Sequence, residues 1–258
     1  VAIDDESKTC WAGDASKPHY MPERWVWPRD FHAQVVRNLK EAGAKLIAFD
    51  VVFSESSKRD PQQDEIFAQA VKEAGNVVMA ERHVPKAGGA IKTETLIPGL
   101  LAAALDKGHI GASHTEDGEL RELLPLYYDS SGGLDPDKPN LDVAVLRQLL
   151  FGKAVKPVVD FKNLKIHLGD RDIPIDANGM VEINYAAPPQ TEVLTFPYHA
   201  VYYKQMDMSV FKDRVVYIGS TSEILHDNHS TPFATGDVKM PGVEAHVHML
   251  DTVLSQQY

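Results

Sequence analysis

Apolar and polar positions change rhythm twice along the chain. In "RDFHAQVVRNLKEAG" (29–43), Phe31, Val35 and Leu39 recur every four residues, the spacing of one helix face. Asp30 is placed to cap that helix and Gly43 to stop it. "AKLIAFDVVF" (44–53) is apolar from Leu46 onward apart from Asp50 and reads as a strand buried on both faces. A second helix is expected over about 64–74, closed by Gly75, and "NVVMAERH" (76–83) is the next strand. With "VAIDD" as a short opening strand, the first 83 residues alternate β, α, β, α, β. That alternation predicts a parallel sheet covered by helices.

The middle has a two-residue period instead. "HIGASHTEDGELRELLPLYYD" holds two extended runs around Asp117-Gly118, a hairpin signal. "NLDVAVLRQLLFG" is a helix ending at Gly152. Then Leu164, Ile166 and Leu168, Ile173 and Ile175, and Val181, Ile183 and Tyr185 alternate with polar residues. Turns near Gly169-Asp170 and Asn178-Gly179 separate the three runs, which predicts an antiparallel meander. The end returns to the opening pattern: "DRVVYIGSTSE" is a buried strand running into a Gly-Ser-Thr loop. "GVEAHVHMLDTVLSQQ" spaces Val243, Val247, Leu250 and Leu254 as a helix does. The expected fold is therefore one α/β domain over 1–258: a mainly parallel sheet flanked by helices, with an antiparallel β-rich insertion at about 109–190.

Composition narrows the function classes. A net charge of −11 repels phosphate backbones and argues against nucleic acid as a partner. The single Cys10 excludes an internal disulfide and a cysteine-rich zinc site. No apolar run approaches the roughly 20 residues that span a bilayer; the longest, "LIPGLLAAAL" (96–105), is broken by Pro98 and Gly99. The chain opens on Val1, already in a strand pattern, so it is expected to be a piece of a longer protein.

Six segments in order resemble one family. They are "VAIDDES", "WVWPRDFHAQVVRNLKEAGAKLIAFDVVFSE", "DGELRELLPL", "GMVEINYAAPP", "FKDRVVYIGSTSEILHDNHSTPF" and "MPGVEAHVHMLDTVL". Together they span nearly the whole chain and resemble the CHASE2 domain, an extracytoplasmic sensory module of bacterial transmembrane receptors. Glu244 and His246 match the family's "GVEIHAN" pattern, with His248 where an Asn is more usual. Asp227, Thr231 and Pro232 match as well, whereas His226 and His229 are particular to this chain. The resemblance implies a non-enzymatic input domain outside the cytoplasmic membrane, tethered by flanking transmembrane helices. Those helices would relay a stimulus to a cytoplasmic cyclase or kinase. A homodimer and an unidentified small ligand or ion are the implied partners.

Two groups of residues carry candidate chemistry. The windows "HDNHSTP" and "GVEAHVH" hold His226, Asp227, His229, Glu244, His246 and His248, an unusual density of metal-ligand types. His226, Asp227, Glu244 and His246 are the candidate ligands for a divalent metal ion, the cofactor this pattern allows. On a helix Glu244 and His248 share a face, whereas His246 points about 160° away. The same residues read equally as a brace that shapes the 226–232 loop, or as a proton-linked group in a pH sensor. A metal-dependent hydrolase would use this cluster, but neither H-E-x-x-H nor G-x-S-x-G occurs.

The second group is Asp4, Asp50, Gly219, Ser220 and Thr221, expected together at the carboxyl edge of the parallel strands. Ligands bind there in open α/β sheets. No G-x-G-x-x-G or Walker sequence accompanies them, so a nucleotide is not indicated. Asp50, inside an apolar run, needs a partner, with Arg29 or a histidine as candidates. Arg121 is expected to pair across its hairpin. Trp11, Trp25 and Trp27 form either an aromatic cage or a cover over the core.

Overall fold

The computed structural model describes residues 1–7, 27–58, 60–85, 91–152, 155–222, 227–233 and 238–258. Six strands make the central sheet: β1 (Ala2–Ile3), β2 (Leu46–Val52), β3 (Val77–Pro85), β4 (Ile91–Glu94), β5 (Asp106–His109) and β6 (Val215–Ser220). Their order is β1-β6-β2-β3, all parallel. Strand β3 then pairs with β5 in parallel through Val78–Glu81 and with β4 antiparallel through Arg82–Pro85.

The helices are α1 (Arg29–Glu41), α2 (Pro61–Ala74), α3 (Pro98–Ala103), α4 (Leu141–Leu150), α5 (Tyr198–Tyr202) and α6 (Gly242–Ser255). The two-residue period of the strands decides which helices cover which face. Ile47 and Phe49 of β2 point into a core with Val35 and Leu39 of α1, Phe67 and Val71 of α2 and Leu100 of α3. Leu46 and Ala48 point the other way, into a core with Val143 and Leu146 of α4 and Ala245 and Met249 of α6. By that alternation Asp50 lies on the α4–α6 face. The mainly parallel sheet flanked by helices, with small antiparallel sheets beside it, is the α/β fold the sequence predicts.

Several local expectations change. Helix α1 is entered from Pro28, whose carbonyl accepts from Phe31 N–H at 3.1 Å, and has no side-chain cap; Asp30 sits inside its first turn. Helix α2 starts at Pro61, before the expected position, because the Asp60 carboxylate accepts from Gln62 N–H at 2.9 Å and proline at the first helical position needs no N–H partner. The expected meander is split. Strands 158–160, 165–168 and 171–174 form one antiparallel sheet. Val181–Glu182 instead joins Glu122–Leu123, which pairs back onto Ala112–Ser113 to make the expected hairpin. The Asp176 carboxylate causes the departure: it accepts from the N–H groups of Asn178 (2.9 Å) and Met180 (2.7 Å), turning the chain away. Arg121 does pair within its hairpin, with Asp117 at 3.1 Å and with Glu119. Trp27, 2% exposed, packs on Tyr198 at 4.8 Å between ring centroids, so it belongs to the core; Trp11 and Trp25 lie outside the described residues. Among the described residues no helix is long and apolar enough to cross a membrane.

One contact fixes the height of α4 over the sheet. A Cβ on Gly108 of β5 would lie 2.5 Å from the backbone N and Cα of Leu141, so the helix start rests directly on the strand. Asn140 caps it, its side chain accepting from Asp142 N–H at 2.8 Å. Gly108→Ala is expected to force the two apart at about 1–3 kcal/mol, the usual cost of overpacking. The check is the urea midpoint, and an unchanged midpoint would mean that α4 does not sit this close.

Candidate functional site

Strands β2 and β6 are neighbours, but the chain leaves them in opposite directions. After β2 it runs to α2 on one face; after β6 it runs to α6 on the other. Such a reversal opens a crevice beyond the carboxyl ends of the two strands. Asp50 stands there on β2. Gly219 stands beside it on β6, one step past the Ile218–Phe49 pair. A Cβ on Gly219 would lie 2.6 Å from Val243 Cβ and 3.0 Å from Asp50 Oδ2, so only glycine lets α6 close over this point.

A buried polar network fills the space beneath. His246 of α6 bonds through Nδ1 to Asp142 Oδ2 at 2.8 Å, and its Nε2 lies 3.8 Å from Asp50 Oδ1. Tyr217 of β6 donates its hydroxyl to the other Asp142 oxygen at 2.7 Å. The Asp142 side chain is fully buried, with both oxygens engaged. Asp50 Oδ2 is buried and has no hydrogen-bond partner. Burial pushes the Asp50 carboxyl up to about 7; the His246 charge opposes this, and Asp227 and Asp142 add to it. For His246, burial would strip the proton. The charges of Asp142 and Asp50 and the bond to Asp142 override that and hold the ring at about 9. Burial drives the Tyr217 hydroxyl well above its ordinary range, so it stays a donor.

The loop before α6 continues this network toward solvent. Gly242 N–H donates to the Asp227 carbonyl at 2.9 Å, and Asn228–His229 pairs antiparallel with Met240–Pro241. Asp227 Oδ1 is 3.1 Å from His229 Nε2, and His229 Nδ1 is 3.0 Å from His114 Nε2 on the surface. These contacts, together with the Leu120 N–H that donates to the Ser230 carbonyl at 2.7 Å, hold the described part of the 226–232 loop, rather than Glu244 or His246.

A separate cleft of about 970 Å³ lies beside edge strand β1, and Asp4, Glu192, Thr221, Glu244, His248 and Asp251 are among its walls. Asp4 accepts from Ser7 N–H at 2.7 Å, and Thr221 N–H donates to the Ile3 carbonyl at 3.3 Å. Glu244 accepts from Gln190 N–H at 2.8 Å, and burial raises its carboxyl above the usual range. His248 is buried, with Nε2 unpartnered.

The two candidate groups are therefore redistributed. Asp50 and Gly219 meet at the crevice. Asp4 and Thr221 line the cleft, and Ser220 Oγ accepts from Ser222 N–H at 3.2 Å. Of the proposed metal ligands, His246 borders Asp50, Asp227 acts on it through its charge, Glu244 turns to the cleft, and His226 lies outside the described residues. Among the described residues, no group of three or more His, Cys, Asp or Glu side chains is placed to hold a metal ion. Arg29 is taken by Asp64 (3.4 Å), so the partner of Asp50 is the histidine.

Sequence reasoning passed over Asp142 and Tyr217. Asp142 carried a signal, as a carboxylate in the apolar helix "LDVAVLRQLL". It also fits the ordinary preference for acids in a first helical turn, which masked it.

The chain matches the family model of the CHASE2 domain over residues 1–258. No curated protein and no solved structure matches it.

Asp142→Ala removes one partner from a buried charge pair and is expected to destabilise the fold by about 3–5 kcal/mol. Tyr217→Phe should cost about 1.5–3 kcal/mol, the range for a bond to a charged group. Chemical denaturation of both variants checks this; a Tyr217→Phe loss as large as that of Asp142→Ala would contradict the geometry.

Proposed function

Because the chain belongs to the CHASE2 domain family, we propose that it is the extracytoplasmic input domain of a bacterial transmembrane receptor. It passes a stimulus to a cytoplasmic cyclase or kinase. The observation that carries this reading is the family match along the whole chain, since CHASE2 is a sensory, non-catalytic domain family. A sensory domain needs two conformations that a stimulus separates in energy. The α4–α6 side of the sheet supports such a role, because its helices are joined through a buried network with one unsatisfied member, Asp50. We place the flanking membrane helices outside 1–258 and take the working unit to be a homodimer, so that a change in packing within each copy alters how two copies meet. The stimulus is an ion that reaches Asp50 and Gly219, or a small molecule in the cleft beside β1.

Two measurements test this. In the full-length receptor, deleting residues 1–258 while keeping the flanking segments should change output at least severalfold and abolish its response to stimulus. Sedimentation of the 258-residue chain should show dimers at high concentration. An output unchanged by the deletion, with a chain that stays monomeric, would remove the proposal.

A further inference from the structure

The His246 ring touches two carboxylates unequally. Asp142 has a partner on each oxygen, Tyr217 on one and His246 on the other. Asp50 stands 3.8 Å from the ring's far nitrogen, and its Oδ2 is buried without a partner. The Gly219 backbone and Val243 crowd one side of that oxygen, since a Cβ on Gly219 would lie 3.0 Å from it and 2.6 Å from Val243 Cβ, and among the described residues no group of three or more ligand side chains is placed to hold a metal ion. A proton is the counter-charge that fits.

We propose that Asp50 is a proton-binding site, and that loss of its proton loosens the seat of helix α6 on the sheet. The inference rests on the sensory reading, for which it names the proton as a stimulus.

With Asp50 neutral, the imidazolium of His246 and the carboxylate of Asp142 cancel. Without the proton, two buried carboxylates face one imidazolium, and Asp227 adds a third negative charge nearby. An uncompensated buried charge is costly and is relieved by admitting water or moving the element that carries it. The carrier, Asp50, sits on β2, which is paired on both sides, so the neighbour that moves instead is α6, tied by His246 to both α4 and β2. The groups facing the site are Asp142 from α4, Tyr217 from β6, Asp227 from the loop before α6, and His109 from β5, on which the His246 charge acts. Burial keeps Tyr217 protonated and pushes His109 down to about 3, so neither changes charge near neutral pH. His246, held at about 9, stays charged while Asp50, at about 7, does not. Asp227, whose charge reaches Asp50, is itself partly exposed and is joined through His229 to His114 on the surface.

The sign of the effect follows from linkage. The folded-state pKa of Asp50 is raised, so its stabilising contribution is present at low pH and is lost as pH rises from about 4 to about 7. The contribution of His246 is lost later, from 6.5 to about 9. His32 and His109, both pushed by burial to about 3, act oppositely, losing stability as pH falls below 6.5. A single melting profile mixes these groups; a comparison with Asp50→Asn does not. Asparagine keeps the shape of the neutral carboxyl and cannot ionise. The melting temperature of Asp50→Asn relative to the unaltered chain should therefore climb between pH 5 and pH 7.5. The corresponding change in folding equilibrium approaches tenfold per pH unit.

Asp227→Asn removes a charge that holds the Asp50 proton and should move the window to lower pH. Hydrogen exchange at α6 amides, corrected for intrinsic rates, should be faster at pH 8 than at pH 6 in the unaltered chain and equal in Asp50→Asn. Parallel melting profiles with pH-independent α6 exchange would overturn the proton site and leave the sensory role intact. A receptor whose output ignores deletion of the domain would overturn the sensory role while the titration of Asp50 stood.

Discussion

A protonated imidazole buried between two carboxyl groups is the constraint on which the α4–α6 side of the sheet depends. His246 belongs to α6, Asp142 to α4 and Asp50 to β2, and Tyr217 of β6 closes the set. Apolar packing would allow these elements to slide against one another at little cost, because the hydrophobic effect is non-directional. The bond between His246 and Asp142 does not allow it. Separation would leave a charge buried without a partner, and that cost is large compared with the few kcal/mol that hold a domain together.

The network exists because backbone approaches side chain more closely than ordinary residues permit. Gly108 lets the capped start of α4 rest on β5, which brings Asp142 under the sheet; Gly219 lets Val243 of α6 press onto β6. On the opposite face the packing is of a different kind. There His32 sits among Phe49, Phe53, Phe67 and Tyr198, shares one bond of 2.7 Å with the Tyr198 hydroxyl, and is kept neutral by burial. The two faces thus hold a buried histidine in opposite protonation states. Apolar neighbours expel the proton at His32, whereas two carboxylates retain it at His246.

This asymmetry bears on how a sensory domain can be both stable and responsive. The α1–α2 face has an apolar, aromatic-rich core and provides a frame. The α4–α6 face carries the mismatch of two acids to one base next to the crevice where β2 and β6 part, and the segment that answers to it, α6, is a single helix seated by that network. The cleft beside β1 shares a wall with the same helix through Glu244 and His248. A ligand there and a proton at Asp50 would act on one element from two sides.

The helices and strands of the parallel core were legible in the chain because each is set by a local rule. Period-four apolar residues, continuous apolar runs, and Gly43, Gly75 and Gly152 at helix ends depend only on neighbours in sequence. Asp50 was legible too, since a carboxylate within an apolar run must find a partner somewhere. Which partner it finds was not legible. Arg29 and an unspecified histidine were both candidates until the fold placed Arg29 against Asp64 on one face and His246 against Asp50 on the other. The separation of Glu244 from His246, the joining of Val181 to Leu123 and the recruitment of Asp142 and Tyr217 likewise belong to tertiary structure. Local sequence dictates backbone conformation through sterics and hydrophobic period. Contacts between residues 75 or 104 positions apart arise only when whole elements pack, and the order of strands in the sheet decides which side chains then face one another.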